Sequence, residues 1–208
     1  YGAGLQLLDP RTGETTHFRH DPDNPDSLVN NFIWVVEEDR RGFLWIGTDD
    51  GLSRFDPHTR RFRNYRKNGP EGMTATQVTS VHEDHEGKIW LGTRSAGLNI
   101  YDPRTDRFQA LSSDDGRPRN LSSNSVFKIV QDEHLGYWIA TENGVDYYSP
   151  KRTQFGKAYN DAGARPDHSL TEKHVLAFHE DSDGRIWIGT AGGGLNLYDP
   201  DQDEFRSF

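Results

Sequence analysis

Short stretches in which apolar and polar residues alternate recur along this chain, and they predict β-strands. Clear cases are Val78-Thr79-Ser80-Val81 and Val126-Phe127-Lys128-Ile129. A period of two residues is typical of a strand with one buried face. No ten-residue segment shows the 3.6-residue apolar period of a helix. The pattern therefore predicts an all-β fold built from short strands.

A motif that begins with Asp and ends with Thr occurs four times, and each copy contains a Trp. The Trp residues are spaced 45, 48 and 49 residues apart, and a Gly-to-Pro block follows each motif. The motif predicts a second strand after an Asp-x-x-Gly turn, and the Gly-to-Pro block predicts a third strand that ends in an Asp-Pro turn. The four motifs are Asp39 to Thr48, Asp84 to Thr93, Asp132 to Thr141 and Asp181 to Thr190.

Four-stranded units that repeat every 45 to 50 residues are typical of a β-propeller. A further Gly-to-Pro block at Gly4 to Pro10 indicates that the chain opens on a half unit. We therefore predict a single propeller segment of antiparallel four-stranded blades, four full blades plus one half blade. Because a closed ring needs whole blades and one half blade is left over, we expect an arc of a larger ring of roughly seven blades, within the usual four to eight. The predicted units are 1–25 (partial), 26–70, 71–117, 118–166 and 167–208, and the absence of an initial Met leads us to expect an excerpt.

These motifs, in this order, resemble the two-component regulator propeller repeats. The linker part of the family pattern is matched by Asp26 to Asn30 and Asn120 to Asn124, and its turn by Glu38-Asp39 and Glu83-Asp84. The third unit departs most, with Ala140 in place of Gly and Ser149 in place of Asp. The resemblance implies the periplasmic, extracytoplasmic sensor part of a bacterial signalling protein. Its output would be a histidine kinase or a diguanylate cyclase, and its input would include oligosaccharides.

Composition narrows the possible partners. The formal net charge is −9, which disfavours nucleic acid because its phosphates need clustered Lys and Arg. The sequence has no Cys, and its His residues lack the spacing of a zinc site, so we expect neither a metal nor a cofactor. No run of 18 apolar residues occurs, so we expect contact with a membrane only through parts of the protein outside this chain. The partners that remain are a small molecule or oligosaccharide, neighbouring propeller repeats and a second copy of the chain.

Residues that recur in every unit are interpreted as structural. We expect the repeated Trp to fill the space between neighbouring blades. The repeated Asp are expected to cap the turns that they begin. These residues are Trp45, Trp90, Trp138 and Trp187, with Asp39, Asp84, Asp132 and Asp181.

Residues that differ between units mark the candidate binding face. Unit length varies in the loop after each second strand and in the connection between units, and both lie at the same end of an up-and-down blade. Length variation at one end is how repeat proteins mark a binding surface. The candidate ligand-binding residues are Asp49, Asp50, Arg94, Ser95, Glu142, Asn143 and the mid-strand Lys128. Solvated loops, and a lysine that only extends to water, are the alternatives.

Three functions remain open from the sequence. The first is a non-catalytic ligand-sensing or signal-relay propeller of a transmembrane receptor. The second is a propeller enzyme of sialidase or lyase type, which would need a convergent acid/base pair. The third is a protein-interaction propeller, which would present a flat apolar face.

Overall fold

A computed structural model describes residues 2–113, 121–132, 134–149, 154–158, 169–199, 202 and 204–208. The described residues contain eighteen strands and no helix. No helix among them is therefore long and apolar enough to cross a membrane. The strands form one two-stranded sheet and four four-stranded sheets, as the repeat pattern predicted. The predicted unit boundaries near residues 117 and 166 lie outside the described residues.

The chain divides into two compact units, each larger than one sequence repeat. The first unit comprises Tyr1–Leu91 and Asn99–Gln109, and the second unit comprises Gly92–Leu98 and Ala110–Phe208. The first sheet is the half unit, and the next two are four-stranded meanders in which sequential strands pair. Their strands are β1 Leu5–Leu8, β2 Thr15–Phe18, β3 Ile33–Glu38, β4 Leu44–Thr48, β5 Gly51–Asp56, β6 Arg61–Tyr65, β7 Val78–Glu83, β8 Ile89–Thr93, β9 Leu98–Asp102 and β10 Arg107–Leu111.

The last two sheets have the same meander order. Their strands are β11 Val126–Gln131, β12 Tyr137–Thr141, β13 Gly144–Ser149, β14 Gln154–Ala158, β15 Val175–Glu180, β16 Ile186–Thr190, β17 Leu195–Asp199 and β18 Glu204–Ser207. Phe208 follows β18, although its backbone still exchanges hydrogen bonds with Leu195. The predicted four-strand division of each repeat is therefore correct, with a fourth strand one residue shorter than expected in the last sheet.

Each turn Asp is bound to the Trp six residues later. In the first full sheet, Asp39 Oδ1 accepts the backbone N–H groups of Arg41 and Phe43, at 2.9 and 3.0 Å. Its Oδ2 accepts the indole N–H of Trp45 at 2.8 Å. The same indole contact joins Trp90 to Asp84, Trp138 to Asp132 and Trp187 to Asp181, at 2.9 to 3.0 Å. One carboxylate thus caps the turn and satisfies a donor that the sheet would otherwise bury.

The third full sheet builds this turn with a different residue. Gly42 has a φ of 82° and Gly87 one of 81°, but Leu135 takes the equivalent place with a φ of 66°. Gly136 follows it, and a Cβ there would lie 2.0 Å from the hydroxyl oxygen of Tyr147. The glycine of this turn has therefore moved by one residue, where it gives space to the Tyr147 ring, and Leu135 bears the left-handed backbone.

A buried polar residue on the third strand of each sheet holds the linker that precedes that sheet. Ser53 Oγ accepts the N–H of Val29 at 3.0 Å, and Asn99 Oδ1 accepts that of Thr74 at 2.9 Å. The other two sheets repeat the contact, Asp146 with Ser122 at 2.6 Å and Asn196 with Thr171 at 3.2 Å. All four acceptor residues are 0% exposed. None of the four was among the residues predicted from the sequence.

Aromatic rings fill the space between neighbouring sheets within the first unit. The Trp45 ring stacks on Tyr65 of its own sheet at 6.0 Å and lies 5.4 Å from Tyr101 of the next sheet. Gly47 allows this approach, because a Cβ there would lie 2.6 Å from the carbonyl oxygen of Val78. The half unit packs in the same way, with Phe18 4.9 Å from Phe55.

The second unit has an equivalent core. Trp138 lies 4.9 Å from Tyr147 of its own sheet and 5.0 Å from Tyr198 of the next. The surrounding cluster includes Val175 and Ile188, each 0% exposed. Trp187 in the last sheet packs instead on Phe208 of the same sheet, at 5.7 Å.

Candidate functional site

The loops that carry the candidate residues share one backbone frame. A Thr hydroxyl ends each second strand and donates to the carbonyl oxygen of the Gly that opens the third strand. In the four full sheets these pairs are Thr48 with Gly51, Thr93 with Gly97, Thr141 with Gly144 and Thr190 with Gly194, at 2.8 to 3.1 Å. The four glycines have φ between 67° and 126°, where other residues are strained. The frame is therefore fixed by residues that every repeat contains.

In three sheets, the first loop residue is also tied to the residue that precedes the first strand of the same sheet. The N–H of Asp49 donates to the carbonyl of Phe32 at 3.2 Å, and that of Glu142 to Ser125 at 3.1 Å. Ala191 donates to His174 in the same way, at 2.8 Å. Each loop therefore presents its variable side chains beside the residues that begin the first strand of its own sheet.

In the first unit, both candidate carboxylates have partners. Asp49 Oδ1 accepts the indole N–H of Trp34 at 2.7 Å and the side-chain amide of Gln77 at 2.9 Å. Asp50 forms an ion pair with Arg66, which also donates to the carbonyl of Val29. Asp49 thus joins two consecutive repeats, and Asp50 is neutralised by a neighbouring cation.

In the second unit, the structure connects the Arg94 and Glu142 loops through one serine. Ser125 Oγ donates to the carbonyl of Arg94 at 2.8 Å, and the Ser125 carbonyl accepts the N–H of Glu142. Asn143 Nδ2 donates to the carbonyl of Ser122 at 3.3 Å. Arg94, Ser95, Glu142 and Asn143 are all exposed, and within the described residues the Arg94 and Glu142 head groups make no ion pair. These four residues can offer both charges and an amide to a ligand.

Lys128 lies in β11 beside an irregularity of the strand pairing. The register between β11 and β12 shifts between Val126 and Lys128, so Phe127 has no residue directly opposite. Lys128 pairs with Ala140 and is half-buried. The mid-strand position predicted for this lysine is correct, and its role in binding stays a prediction.

The side chains that these bulges present were not among the candidate residues predicted from the sequence. The same register shift skips Trp34 in β3 and Leu176 in β15. Trp34 is 44% exposed and Leu176 is 47% exposed, while Phe127 stacks on His174 at 4.9 Å. A bulge changes the direction of a side chain and is common near binding sites. The signal was present: Ile33-Trp34, Val126-Phe127 and Val175-Leu176 each break the apolar alternation.

Two groups with shifted pKa values, Tyr101 and Asp106, belong to a structural contact. Burial, with hydrogen bonds to Tyr65 and Asp106, raises the pKa of the Tyr101 hydroxyl far above its ordinary value. That hydroxyl donates to Asp106 at 2.7 Å, and this bond, with Arg63 at 2.5 Å, lowers the pKa of Asp106 despite its desolvation. Neither group adjoins the candidate loops, so this network fixes the packing of two sheets.

A groove of about 680 Å³ in the first unit runs along β6, between segments 20–27 and 62–71. Its cations are already engaged, since Arg63 pairs with Glu71 and Asp106 and Arg66 with Asp50. Across the part of the chain that the structure describes, no three His, Asp or Glu residues come together as metal ligands. The expectation of no cofactor stays a prediction.

Comparison with known proteins gives this arrangement a context. Residues 27–50, 72–95 and 169–192 match the family described as two component regulator propeller. A 50-residue stretch is 46% identical to "Histidine kinase P4" of Formosa agariphila; it covers 24% of this chain and 3% of that protein.

Two solved structures show the same architecture. One is named as the extracellular domain of the hybrid two component system BT3049 from B. thetaiotaomicron. It is 27% identical with a TM-score of 0.75, over 87% of this chain and 25% of that one. PorZ of the Porphyromonas gingivalis type-IX secretion system is 15% identical with a TM-score of 0.75, over all of this chain and 31% of that one, and it shows the fold alone. The propeller-type class predicted from the repeats is therefore confirmed, and the chain spans at most about a third of these relatives. The blade number of a complete propeller stays a prediction.

Proposed function

This chain carries repeats of the two-component regulator propeller family, and from this premise we propose that it is a non-catalytic ligand-sensing and signal-relay segment. It would form part of the extracytoplasmic region, periplasmic in a bacterium with two membranes, of a transmembrane receptor. The support is its similarity to the extracellular domain named for BT3049 and to a protein named as a histidine kinase. The output would then be phosphotransfer rather than cyclic dinucleotide synthesis.

One observation carries the sensing part of this proposal, the contrast between a constant frame and variable tips. The Thr–Gly bond recurs in all four full sheets, and the loop N–H contact to the first strand recurs in three. The residues that this frame presents differ in charge, from Asp50 to Arg94 to Glu142. A scaffold that holds different polar groups in corresponding loops suits recognition of a hydroxyl-rich ligand such as an oligosaccharide.

The test replaces Asp50, Arg94 and Glu142 with Ala in the parent receptor. Surface substitutions usually change stability by only about 0.5 kcal/mol, and the Asp50 side chain is half exposed, so the fold should persist. The response of the receptor to a library of defined oligosaccharides should fall strongly. A full response from the triple variant would refute the assignment of the sensing surface to these loops.

A matched control removes the same charges at the other end of the sheets. Arg11, Glu14 and Glu86 are exposed and lie in the β1–β2 and β7–β8 turns. Their triple Ala variant changes the net charge equally. We expect it to respond as the unaltered receptor does, and an equal loss in both variants would show that charge, rather than location, was responsible.

A further inference from the structure

Trp34 is an aromatic residue that the fold exposes and holds in place. It occupies the bulge of β3, and 44% of its surface is exposed. Its indole N–H is bonded to Asp49 Oδ1 at 2.7 Å, and its ring lies 5.2 Å from that of Phe32. An exposed side chain gains little stability from such contacts, but a ligand gains from a platform that is already oriented.

Two polar side chains lie at the nitrogen edge of this ring. Gln77 Nε2 donates to the same Asp49 oxygen at 2.9 Å, which places the carboxylate between the indole and the amide. Within the described residues, Asp49 Oδ2 and Gln77 Oε1 accept no hydrogen bond. The bulge thus brings together an aromatic face and two acceptors with remaining capacity.

We propose that Trp34, Asp49 and Gln77 form a binding subsite for a neutral pyranose ring. The C–H face of the sugar would lie on the indole. Its hydroxyls would donate to Asp49 Oδ2 and Gln77 Oε1. This assignment rests on the proposed sensing role for its meaning in the receptor, but its geometry lies entirely within the first unit.

Charge decides between neutral and anionic sugars. The subsite presents a carboxylate and an amide, and the neighbouring Arg66 is already paired with Asp50. A uronate or sulfate would meet the Asp49 carboxylate with no free cation among these residues to offset the repulsion. The subsite therefore favours uncharged rings.

The test measures the indole N–H resonances of the 208-residue chain by NMR. The chain has five Trp, and Trp34→Phe identifies the signal of residue 34. The probes are maltohexaose, cellohexaose, xylohexaose and mannohexaose, with hexagalacturonate as the anionic arm. At least one neutral probe should shift the Trp34 signal. Trp34→Ala should weaken its binding about tenfold or more, the effect of one lost stacking contact.

Val36→Ala is the matched control, because Val36 lies on the same strand, is 42% exposed and is not aromatic. It should bind as the unaltered chain does. The subsite is refuted if no neutral probe shifts the Trp34 signal, if Trp34→Ala binds normally, or if hexagalacturonate alone binds.

The two proposals fail separately. Trp34-dependent binding without any effect of Trp34→Ala on the receptor response would keep the subsite and remove its role in sensing. A receptor response that depends on Arg94 and Glu142 but not on Trp34, with no Trp34-dependent binding, would keep the sensing role and refute the subsite.

Discussion

Replacing Asp39 with Ala tests the contact between turn and indole that every full sheet repeats. Asp39 is 4% exposed and Trp45 is 1% exposed, so water cannot replace the lost acceptor. The change removes two turn hydrogen bonds and leaves the Trp45 N–H buried without a partner. We expect Asp39→Ala to lower the free energy of unfolding substantially.

The magnitude follows from these contacts. A buried unsatisfied donor costs about 1–3 kcal/mol, and each lost bond to a charged acceptor adds about 1 kcal/mol or more. The sum is about 3–5 kcal/mol, or roughly 10 °C in melting temperature for a chain of this size. Asp56 gives the comparison, because its carboxylate also caps a turn, through the N–H of His58 at 2.9 Å, but this hydrogen bond is exposed to solvent. Asp56→Ala should cost only about 0.5–1 kcal/mol.

The assay is urea unfolding of Asp39→Ala, Trp45→Phe and the double variant. Phe keeps a ring at position 45 but has no N–H, so Asp39→Ala should cost about 1–3 kcal/mol less in that background. Equal costs in the two backgrounds, or a cost for Asp39→Ala no larger than that of Asp56→Ala, would refute the role assigned to the buried indole.

Further variants test backbone and charge in the same way. Gly47→Ala should lower the free energy of unfolding by about 1–3 kcal/mol, because a Cβ there would clash with the Val78 carbonyl. At Gly189 the nearest atom to a Cβ lies at 3.7 Å, so calorimetry should show little change in melting temperature for Gly189→Ala. Leu135→Gly should raise the melting temperature by a few degrees, since it relieves about 1 kcal/mol of left-handed strain; an unchanged melting temperature would contradict this. At Asp181, the bonds from Trp187 and Arg185 outweigh desolvation and lower the pKa below its usual 3.8. Because the folded pKa lies below the unfolded one, stability is present above about pH 4 and is lost as pH falls through the folded pKa. Acid titration of the melting temperature should therefore be flatter in Asp181→Asn, and an identical acid dependence would contradict this.

The strands and turns could be predicted from the sequence because the same strand and turn residues recur in each repeat. Four copies of Leu-Trp-Ile-Gly-Thr or its equivalents fix the second strand, and a Gly with positive φ marks the turn in three of the four units. The third full repeat shows the limit of prediction from a local motif. Leu135 adopts a glycine-like φ, and Gly136 is explained only by the Tyr147 hydroxyl, which lies eleven residues away on the next strand. A local motif does not contain that constraint.

The candidate site was predictable in its frame but not in its partners. Comparing repeats within the chain identifies where side chains vary, and Asp49 was found in this way. That Asp49 is shared by Trp34 and Gln77 depends on two facts outside the motif: a bulge in β3, and contact with the following repeat 28 residues along the chain. The loop of one blade is therefore completed by Gln77, the residue that directly precedes the first strand of its neighbour. We therefore expect a substitution at Gln77 to alter ligand binding at the proposed Trp34 subsite, although Gln77 belongs to another repeat, and we infer that adjacent repeats act in pairs at this position.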